Sequence, residues 1–161
     1  MIVIVMGVVG AGKTTIGKLL ASELGWEFAD ADDFHPKSNV EKIRQGIGLT
    51  DEDREPWLDT LSKAIVGWIG AGKEVVLACS ALKRTYREKL YVAPQVQFVY
   101  LKGSAALIAE RLRARHGHFA GESILASQMA DMEEPEGAIN VDIQGPPEQI
   151  VAEIKKALAM E

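Results

Sequence analysis

The 161-residue sequence contains one cysteine, Cys79, and few aromatic side chains, which make up 6% of its residues. One cysteine can form neither an internal disulfide nor a zinc site with several thiolate ligands, and it fits a reducing compartment. Positive charge is also scarce, because 18 Lys and Arg stand against 23 Asp and Glu, for a net charge of −5. Proteins that coat nucleic acids or bind membrane surfaces are generally basic, so the sequence predicts neither partner.

Long hydrophobic stretches are missing as well. No uncharged stretch reaches the roughly 18 apolar residues of a transmembrane helix. The longest, residues 1–12, precedes Lys13, whereas a signal peptide carries its positive charge ahead of the apolar stretch. We therefore expect a cytoplasmic protein. Because a domain has about 150 residues, we expect residues 1–161 to form a single one.

Short apolar runs alternate with longer amphipathic segments along the chain. Residues 2–6, 75–79 and 96–101 are strongly apolar, which is typical of strands covered on both faces in a parallel sheet. Residues 26–29 and 138–143 are weaker strand candidates. Apolar residues at helical spacing occur within 16–24, 57–70, 104–112 and 147–158. This alternation predicts an α/β fold, with a parallel, doubly wound sheet and helices on both faces.

Residues 7–14 match the phosphate-binding pattern G-x-x-x-x-G-K-[ST] without a mismatch. The segment follows a predicted strand and opens a predicted helix, so backbone amides and the helix N-terminus would face one anion. Lys13 would contact the β- and γ-phosphates, and the Thr14 hydroxyl would bind Mg2+. The alternative is a Gly-rich turn beside an incidental lysine. The predicted nucleotide-binding residues are Gly7, Gly10, Ala11, Gly12, Lys13, Thr14 and Thr15.

Two aspartates, Asp30 and Asp32, directly follow the weak second strand. The carboxyl end of a parallel strand lies at the same edge of the sheet as the phosphate-binding loop. Many P-loop ATPases hold magnesium with an aspartate that ends an apolar strand, but here strand 75–79 is followed by Ser80. We therefore predict that Asp30 orients waters on Mg2+ and that Asp32 accepts the proton of an incoming hydroxyl. The alternative is that both acids cap a helix or form a turn.

Seven of the 18 basic residues lie in two short clusters. The clusters are Lys83, Arg84, Arg87 and Lys89, and then Arg111, Arg113 and Arg115. Phosphoryl transfer requires cations over the migrating charge, and an anionic acceptor requires a cation for its own group. A solvated helix face is the alternative for either cluster, and we favour it for Arg84 and Lys89. Gly117 and Gly121 follow the second cluster, which predicts a lid with arginines on its underside.

These blocks together resemble the small P-loop gluconokinases, which are relatives of shikimate kinase, over nearly the whole chain. Beyond the P-loop, the resemblance rests on Asp30-Ala31-Asp32 with His35-Pro36 and Asn39, on Asp53-Arg54 with Pro56-Trp57-Leu58, on residues 79–83 with Tyr86-Arg87, and on residues 111–115 with 117–119. It implies a three-layer P-loop NTPase fold with a five-stranded parallel sheet, helices on both faces and a helical lid at about 113–130. It also implies a homodimer. The implied reaction is Mg2+-dependent transfer of a phosphoryl group from ATP to D-gluconate, giving 6-phospho-D-gluconate.

The same resemblance implies individual roles. Asp32 would be the base for the terminal hydroxyl of gluconate. The residues that would hold the polyol and the carboxylate are Asp32, His35, Arg54, Lys83 and Arg87. Arg111 would lie against the adenine, and Arg115 would approach the transferring phosphoryl group. Asp33 is an extra acid where many members carry an apolar residue, so the base is either Asp32 or Asp33.

Other functions stay open at this level. Shikimate kinases carry a glycine triplet after the third strand, where this chain has Cys79-Ser80-Ala81. A non-enzymatic nucleotide sensor would share the P-loop but not the acceptor chemistry. A kinase of nucleic-acid 5′ ends would use the basic clusters, but a net charge of −5 and 6% aromatic residues offer little for stacking bases. No Asn-Lys-x-Asp guanine-binding motif is present, which disfavours a GTPase.

Overall fold

The structure, a computed structural model, describes residues 1–116 and 122–159. The strands are β1 (Ile2–Met6), β2 (Glu27–Asp30), β3 (Val75–Ala78), β4 (Val96–Lys102) and β5 (Ile139–Asp142). The helices are α1 (Lys13–Leu24), α2 (Lys37–Arg44), α3 (Asp51–Gly70), α4 (Arg84–Leu90), α5 (Ala105–His116), α6 (Glu122–Asp131) and α7 (Pro147–Ala157). A short 3-10 helix, Ala31–Phe34, follows β2. Among the described residues, no helix has both the length and the hydropathy of a membrane span.

All five strands run parallel in one sheet, in the order β2-β3-β1-β4-β5. β1 is central, and its Ile4 pairs with Leu77 of β3 on one side and with Phe98 of β4 on the other. Every residue of β1 and β3 is buried, so both faces of the sheet are covered. The predicted α/β fold, a five-stranded parallel sheet between helical layers, is confirmed. The strand order reverses at β1, because its neighbours are β3 on one side and β4 on the other. Ligands of such sheets bind in the crevice at the carboxyl end of this position, and the loop after β1 lies there.

Two helix pairs cover this sheet. α1 packs against α7 and β3, and α3 packs against α4 and the 3-10 helix. Buried Trp57 joins α3 to the 3-10 helix, because its indole Nε1 donates a hydrogen bond to the Ala31 carbonyl at 2.7 Å. Cys79, at the end of β3, is a buried free thiol, and burial raises its pKa to about 12. The thiol is therefore protonated and unreactive at neutral pH.

Helix α3 begins six residues before the apolar stripe that predicts it, because a capping box starts it at Asp51. The Thr50 hydroxyl accepts a hydrogen bond from the Asp53 amide at 3.1 Å, and the Asp53 carboxylate accepts one from the Thr50 amide at 2.9 Å. Such a box satisfies two of the amides that a helix start leaves unpaired. The helix ends at Gly70, as the sequence predicts. The capping box thus brings Asp51 and Arg54 to the edge of the sheet where β2 ends.

Candidate active site

The loop after β1 has the backbone geometry of a phosphate cradle. Gly10 and Gly12 adopt φ angles of +81° and +97°, a left-handed region that side chains disfavour. A Cβ on Gly10 would lie 2.7 Å from the Leu112 Cγ, so the loop also needs glycine for space. Gly12 caps α1 without any side-chain hydrogen bond to the first-turn amides. These amides are therefore available to an anion at the helix N-terminus.

Lys13 lies over this loop, with its Nζ donating a hydrogen bond to the Val8 carbonyl at 3.0 Å. Removal from water lowers the pKa of Lys13, and the carboxylates of Asp32 and Asp30 oppose that shift. Both acids therefore lie within electrostatic range of the lysine. Which acid of the Asp32–Asp33 pair accepts the proton stays a prediction.

Asp30 joins the end of β2 to the start of α1. Its Oδ2 accepts a hydrogen bond from the Thr14 hydroxyl at 3.2 Å, and its Oδ1 accepts one from the Asp32 amide at 3.0 Å. Asp30 thus caps the 3-10 helix and also presents a carboxylate beside the P-loop hydroxyl. Mg2+ prefers oxygen ligands and takes one or two from the protein, with phosphates and waters completing its shell. The Thr14–Asp30 pair fits such an ion. No group of three or more His, Cys, Asp or Glu in the described residues could hold a metal by itself.

The Asp32 side chain is 83% exposed, and the solvent-exposed space beside it is here called the Asp32 cleft. Partial desolvation of the Asp32 carboxyl group raises its pKa. The Asp30 carboxylate raises this pKa further, and the charge of Lys13 lowers it. A raised pKa makes a carboxylate a better proton acceptor. The Asp32 Oδ1 lies 4.0 Å from the His35 Nε2. Asp32 therefore stands between the phosphate loop and a second group of polar side chains.

That second group is here called the acceptor-side network, and it comprises Asp51, Arg54, Lys83, Tyr86 and Asp131. The Arg54 Nη1 donates to the Tyr86 hydroxyl at 2.8 Å and lies 3.8 Å from the Asp131 Oδ2. The Tyr86 hydroxyl donates to Asp51, and the Lys83 Nζ lies 2.9 Å from the same carboxylate. These hydrogen bonds, that of Tyr86 first, hold the pKa of Asp51 below its usual range. Arg54 also lies close enough to help lower the pKa of His35.

Arg87 does not join this group. Its guanidinium is buried and donates to the carbonyls of Ala81, Leu82 and Glu133 at 2.7, 3.0 and 2.8 Å. The side chain lines a cavity of about 710 Å³ that contains no P-loop residue. Acceptor binding by Arg87 stays a prediction, and its described contacts tie the segment after β3 to the segment after α6. Arg84 and Lys89 are exposed and pair with surface acids, as the solvated-face alternative predicts.

A cavity of about 420 Å³ adjoins the other side of the P-loop. Residues 10–12, Thr15, Arg111 and residues 144–147 line it. The Arg111 guanidinium lies 3.5 Å from the Gln144 carbonyl and so forms one wall. The cavity has the size and position for a nucleoside next to bound phosphates. Arg111 and Thr15 both line this cavity, and their nucleotide contacts stay a prediction.

Two residues of α6 belong to the site although no sequence pattern indicates them. The Gln128 Oε1 accepts a hydrogen bond from the Val9 amide of the P-loop at 2.6 Å. Asp131, one turn further along, faces Arg54. Both contacts link segments more than 70 residues apart in the chain, so only the folded structure reveals them. Of the predicted lid, residues 117–121 and the side chain of Arg115 lie outside the described residues.

Together, these features define a P-loop phosphotransferase. A phosphate loop and a hydroxyl–carboxylate pair lie on one side of Asp32, and the charged side chains of the acceptor-side network lie on the other. The comparisons with known proteins agree. The sequence model of a family described as shikimate kinase matches residues 9–158.

Gluconokinases are more similar in sequence than shikimate kinases are. A probable gluconokinase of Xenopus tropicalis is 41% identical, over 96% of this chain and 92% of the relative. The gluconokinase of Gluconobacter oxydans (strain 621H) is 43% identical, over 94% and 87%. The crystal structure of a gluconokinase from Sinorhizobium meliloti 1021 has a TM-score of 0.89 and 41% identity, over 98% and 90%. A shikimate kinase from Aquifex aeolicus vf5, at 19% identity and a TM-score of 0.60, shares the fold. The chain belongs to the gluconokinase family of shikimate kinase-related P-loop kinases.

Proposed function

We propose that this protein transfers the γ-phosphoryl group of ATP to D-gluconate, giving ADP and 6-phospho-D-gluconate. The observation that carries the proposal is the position of Asp32, exposed in a cleft between the P-loop lysine and the acceptor-side network. The printed names of the relatives supply the identity of the acceptor, because they are gluconokinases. The chemistry of the site supplies the rest of the argument.

In the proposed reaction, Asp32 accepts the proton of the terminal hydroxyl of gluconate as its oxygen attacks the γ-phosphorus. The bond between that phosphorus and the β–γ bridging oxygen breaks, and ADP leaves. Lys13 leaves the Val8 carbonyl to contact the β- and γ-phosphates, where its charge offsets the negative charge that develops. The loop amides and Thr15 hold the phosphates, and Arg111 lies against the adenine. Arg115 is proposed to approach the transferring group from the lid.

Thr14 and Asp30 are the residues that would hold Mg2+. When bound, the ion neutralises charge on the β- and γ-phosphates. Asp30 needs no rearrangement for this role, because its hydrogen bonds to Thr14 and to the Asp32 amide already fix its carboxylate. The same contacts fix the backbone of Asp32, the proposed base, beside the Thr14–Asp30 pair.

The acceptor-side network supplies cations for the gluconate carboxylate. Arg54 is only 11% exposed, and an acid partner already neutralises each cation: Asp131 for Arg54 and Asp51 for Lys83. To bind one of these cations, the gluconate carboxylate would therefore have to displace Asp131 or Asp51 from it. His35, beside Asp32, is placed to bind a hydroxyl of the polyol. Acceptor binding by Arg87 is proposed as well, and its guanidinium also holds the segment that bears Lys83.

We further propose a single kinase domain with its lid at about 113–130, a homodimer, and a cytoplasmic location. The dimer and the lid rest on the resemblance to gluconokinases, and the location rests on composition. Sedimentation at micromolar concentration tests the dimer, and a mass of one chain would contradict it.

The decisive experiment is a coupled ADP-release assay with ATP and Mg2+ over gluconate, shikimate and nucleoside monophosphates. We expect turnover with gluconate and background rates with the others. Equal background rates with every acceptor, despite measurable ATP binding, would favour a nucleotide sensor and overturn the proposal. Turnover with shikimate alone would show that the protein is a shikimate kinase instead.

A further inference from the structure

We propose that Asn39 is a positioning residue that holds His35 in its Nε2–H tautomer, so that the imidazole presents a hydrogen-bond donor to the cleft beside Asp32. Asn39 lies in α2, near its start, and is 2% exposed. It has no charge and contacts neither the phosphate loop nor Asp32. Its role would be exerted entirely through His35. The proposed consequence for catalysis rests on the proposed function, whereas the tautomer itself does not.

The contacts of Asn39 determine which way its amide points. One Nδ2 atom lies 2.7 Å from the Asp53 carbonyl oxygen and 3.2 Å from the His35 Nδ1. A carbonyl oxygen only accepts hydrogen bonds, so the Asn39 atom facing Asp53 must be the NH2 group. The opposite orientation would bring two oxygens together at the same short distance. The second hydrogen of that NH2 group then faces the His35 Nδ1, which must be the unprotonated nitrogen.

The imidazole ring has little freedom to escape this arrangement. It stacks on the buried Trp57 ring with centroids 4.4 Å apart and an angle of 13° between the planes. Trp57 is itself fixed by its hydrogen bond to the Ala31 carbonyl. The His35 side chain is 5% exposed, so solvent has little access to the ring. Stacking fixes the plane of the ring, and the Asn39 amide selects the tautomer within that plane.

A neutral Nε2–H next to the base has a clear chemical use. Desolvation, with Arg54 adding to it, lowers the pKa of His35 to about 4, so the ring is neutral at pH 7. At 4.0 Å, Nε2 is too far from the Asp32 Oδ1 for a direct hydrogen bond, which leaves its hydrogen for an oxygen placed between them. A sugar-acid hydroxyl at that point would accept from His35 and donate to Asp32. In the other tautomer Nε2 could only accept, so it would compete with Asp32 for the single proton of that hydroxyl.

The tautomer is measured directly by two-dimensional 1H–15N NMR of the full-length protein at neutral pH, with 15N-labelled histidine. His35→Gln assigns the resonances, since the chain has three histidines. We expect His35 to show a protonated Nε2 and an unprotonated Nδ1. A protonated Nδ1 or a cationic ring in the wild type would overturn the inference without any variant.

Asn39→Asp then reverses the selection, because a carboxylate can only accept and draws the proton to Nδ1. We expect a shift to the Nδ1–H tautomer and a rise in the KM for gluconate of roughly 3- to 10-fold, as for one lost hydrogen bond, with the KM for ATP unchanged. Asn140→Asp makes the same change at an exposed position and should alter neither tautomer nor KM. If Asn39→Asp does not fold, Asn39→Ala should give a mixture of tautomers. An unchanged tautomer in either folded variant would contradict the inference.

The outcomes separate this inference from the proposed function. An Nε2–H tautomer in a protein that phosphorylates no gluconate would leave the positioning of His35 intact and remove the proposed reaction. An Nδ1–H tautomer in an active gluconokinase would do the reverse. Equal rises in both KM values for Asn39→Asp would indicate a merely structural role and would overturn the positioning claim.

Discussion

The two sides of the Asp32 cleft are built by different means. On the nucleotide side, one continuous segment supplies the cradle through backbone geometry, with Gly10 and Gly12 in left-handed conformations and the α1 amides left uncapped. On the acceptor side, charged side chains from α3, α6 and the segment around α4 meet in the acceptor-side network. The nucleotide side depends on glycine and a helix start, whereas the acceptor side depends on long-range side-chain pairing. Substitutions should therefore impair the two sides separately.

The largest effect is expected where the two sides meet. Asp32→Asn keeps the shape of the side chain but removes the proton acceptor, so kcat should fall by roughly 10²–10⁴-fold. ATP binding, measured by calorimetry, should persist because the cradle is unchanged. Asp33→Asn is the matched control and should leave kcat nearly intact. If only the Asp33 variant loses activity, the neighbouring acid is the base.

Breaking the nucleotide side alone requires a change in the cradle backbone. Gly10→Ala should destabilise the fold by about 2–5 kcal/mol, from left-handed strain plus the clash with Leu112, and should weaken ATP binding at least roughly tenfold. Gly137→Ala places the same strain, at φ +75°, in open space and should cost only the strain, about 1–2 kcal/mol. Denaturant unfolding and ATP titration of both variants provide the measurement. Equal ATP affinity in the two would show that the cradle does not need this glycine.

The acceptor side carries its own signature in pH-dependent stability. Unfolded His35 binds a proton below pH 6.5, whereas folded His35 resists protonation down to a pKa of about 4. The unfolded state therefore binds more protons in this window, and stability is lost as pH falls from 6.5 toward 4. Between pH 7 and 4.5, the wild type should lose about 1–3 kcal/mol more than His35→Gln. Parallel stability curves would contradict the lowered pKa.

The smallest effect tests the geometry of the acceptor cation. Arg54→Lys keeps the charge but loses the planar fork that contacts Tyr86 and Asp131, so the KM for gluconate should rise about tenfold. The KM for ATP should not change. Arg84→Lys makes the same substitution at an exposed residue paired with Glu88 and should have little effect. A rise in both KM values for Arg54→Lys would mean that the two sides are not independent.

Sequence alone predicts the centre of this fold better than its edges. The fully buried runs of β1 and β3, and the largely buried run of β4, are recognisable because both faces of the sheet are covered there. β2 and β5 are the edge strands, with partly exposed residues, and their bounds shift by a residue or more from those predicted. α2 leaves Val40 and Ile43 exposed, so no apolar stripe predicts it. Apolar patterns in the sequence reflect burial, so they predict an element less well where its residues are only partly buried.

The residues of the site also differ in how well the sequence predicts them. The cradle, Lys13, Thr14 and Asp30 follow from a contiguous motif and one strand end, and they lie together as predicted. Gln128 and Asp131 could not be predicted, because their partners come from distant segments. Acceptor binding by Arg87 stays a prediction. A basic residue in a basic cluster suggests an anion ligand, and only the structure shows that three backbone carbonyls occupy its guanidinium.

Helix α6 has a consequence for how the two substrates bind. Gln128 contacts the Val9 amide and Asp131 faces Arg54, so one rigid turn of helix is attached to both halves of the cleft. In the proposed reaction, a gluconate carboxylate that displaces Asp131 from Arg54 would remove one of these two contacts and leave the Gln128 contact in place. Thermodynamic linkage makes any such influence reciprocal: by whatever factor gluconate changes the affinity for ATP, ATP changes the affinity for gluconate. Helix α6 would then link the two ligand sites through one contact with each.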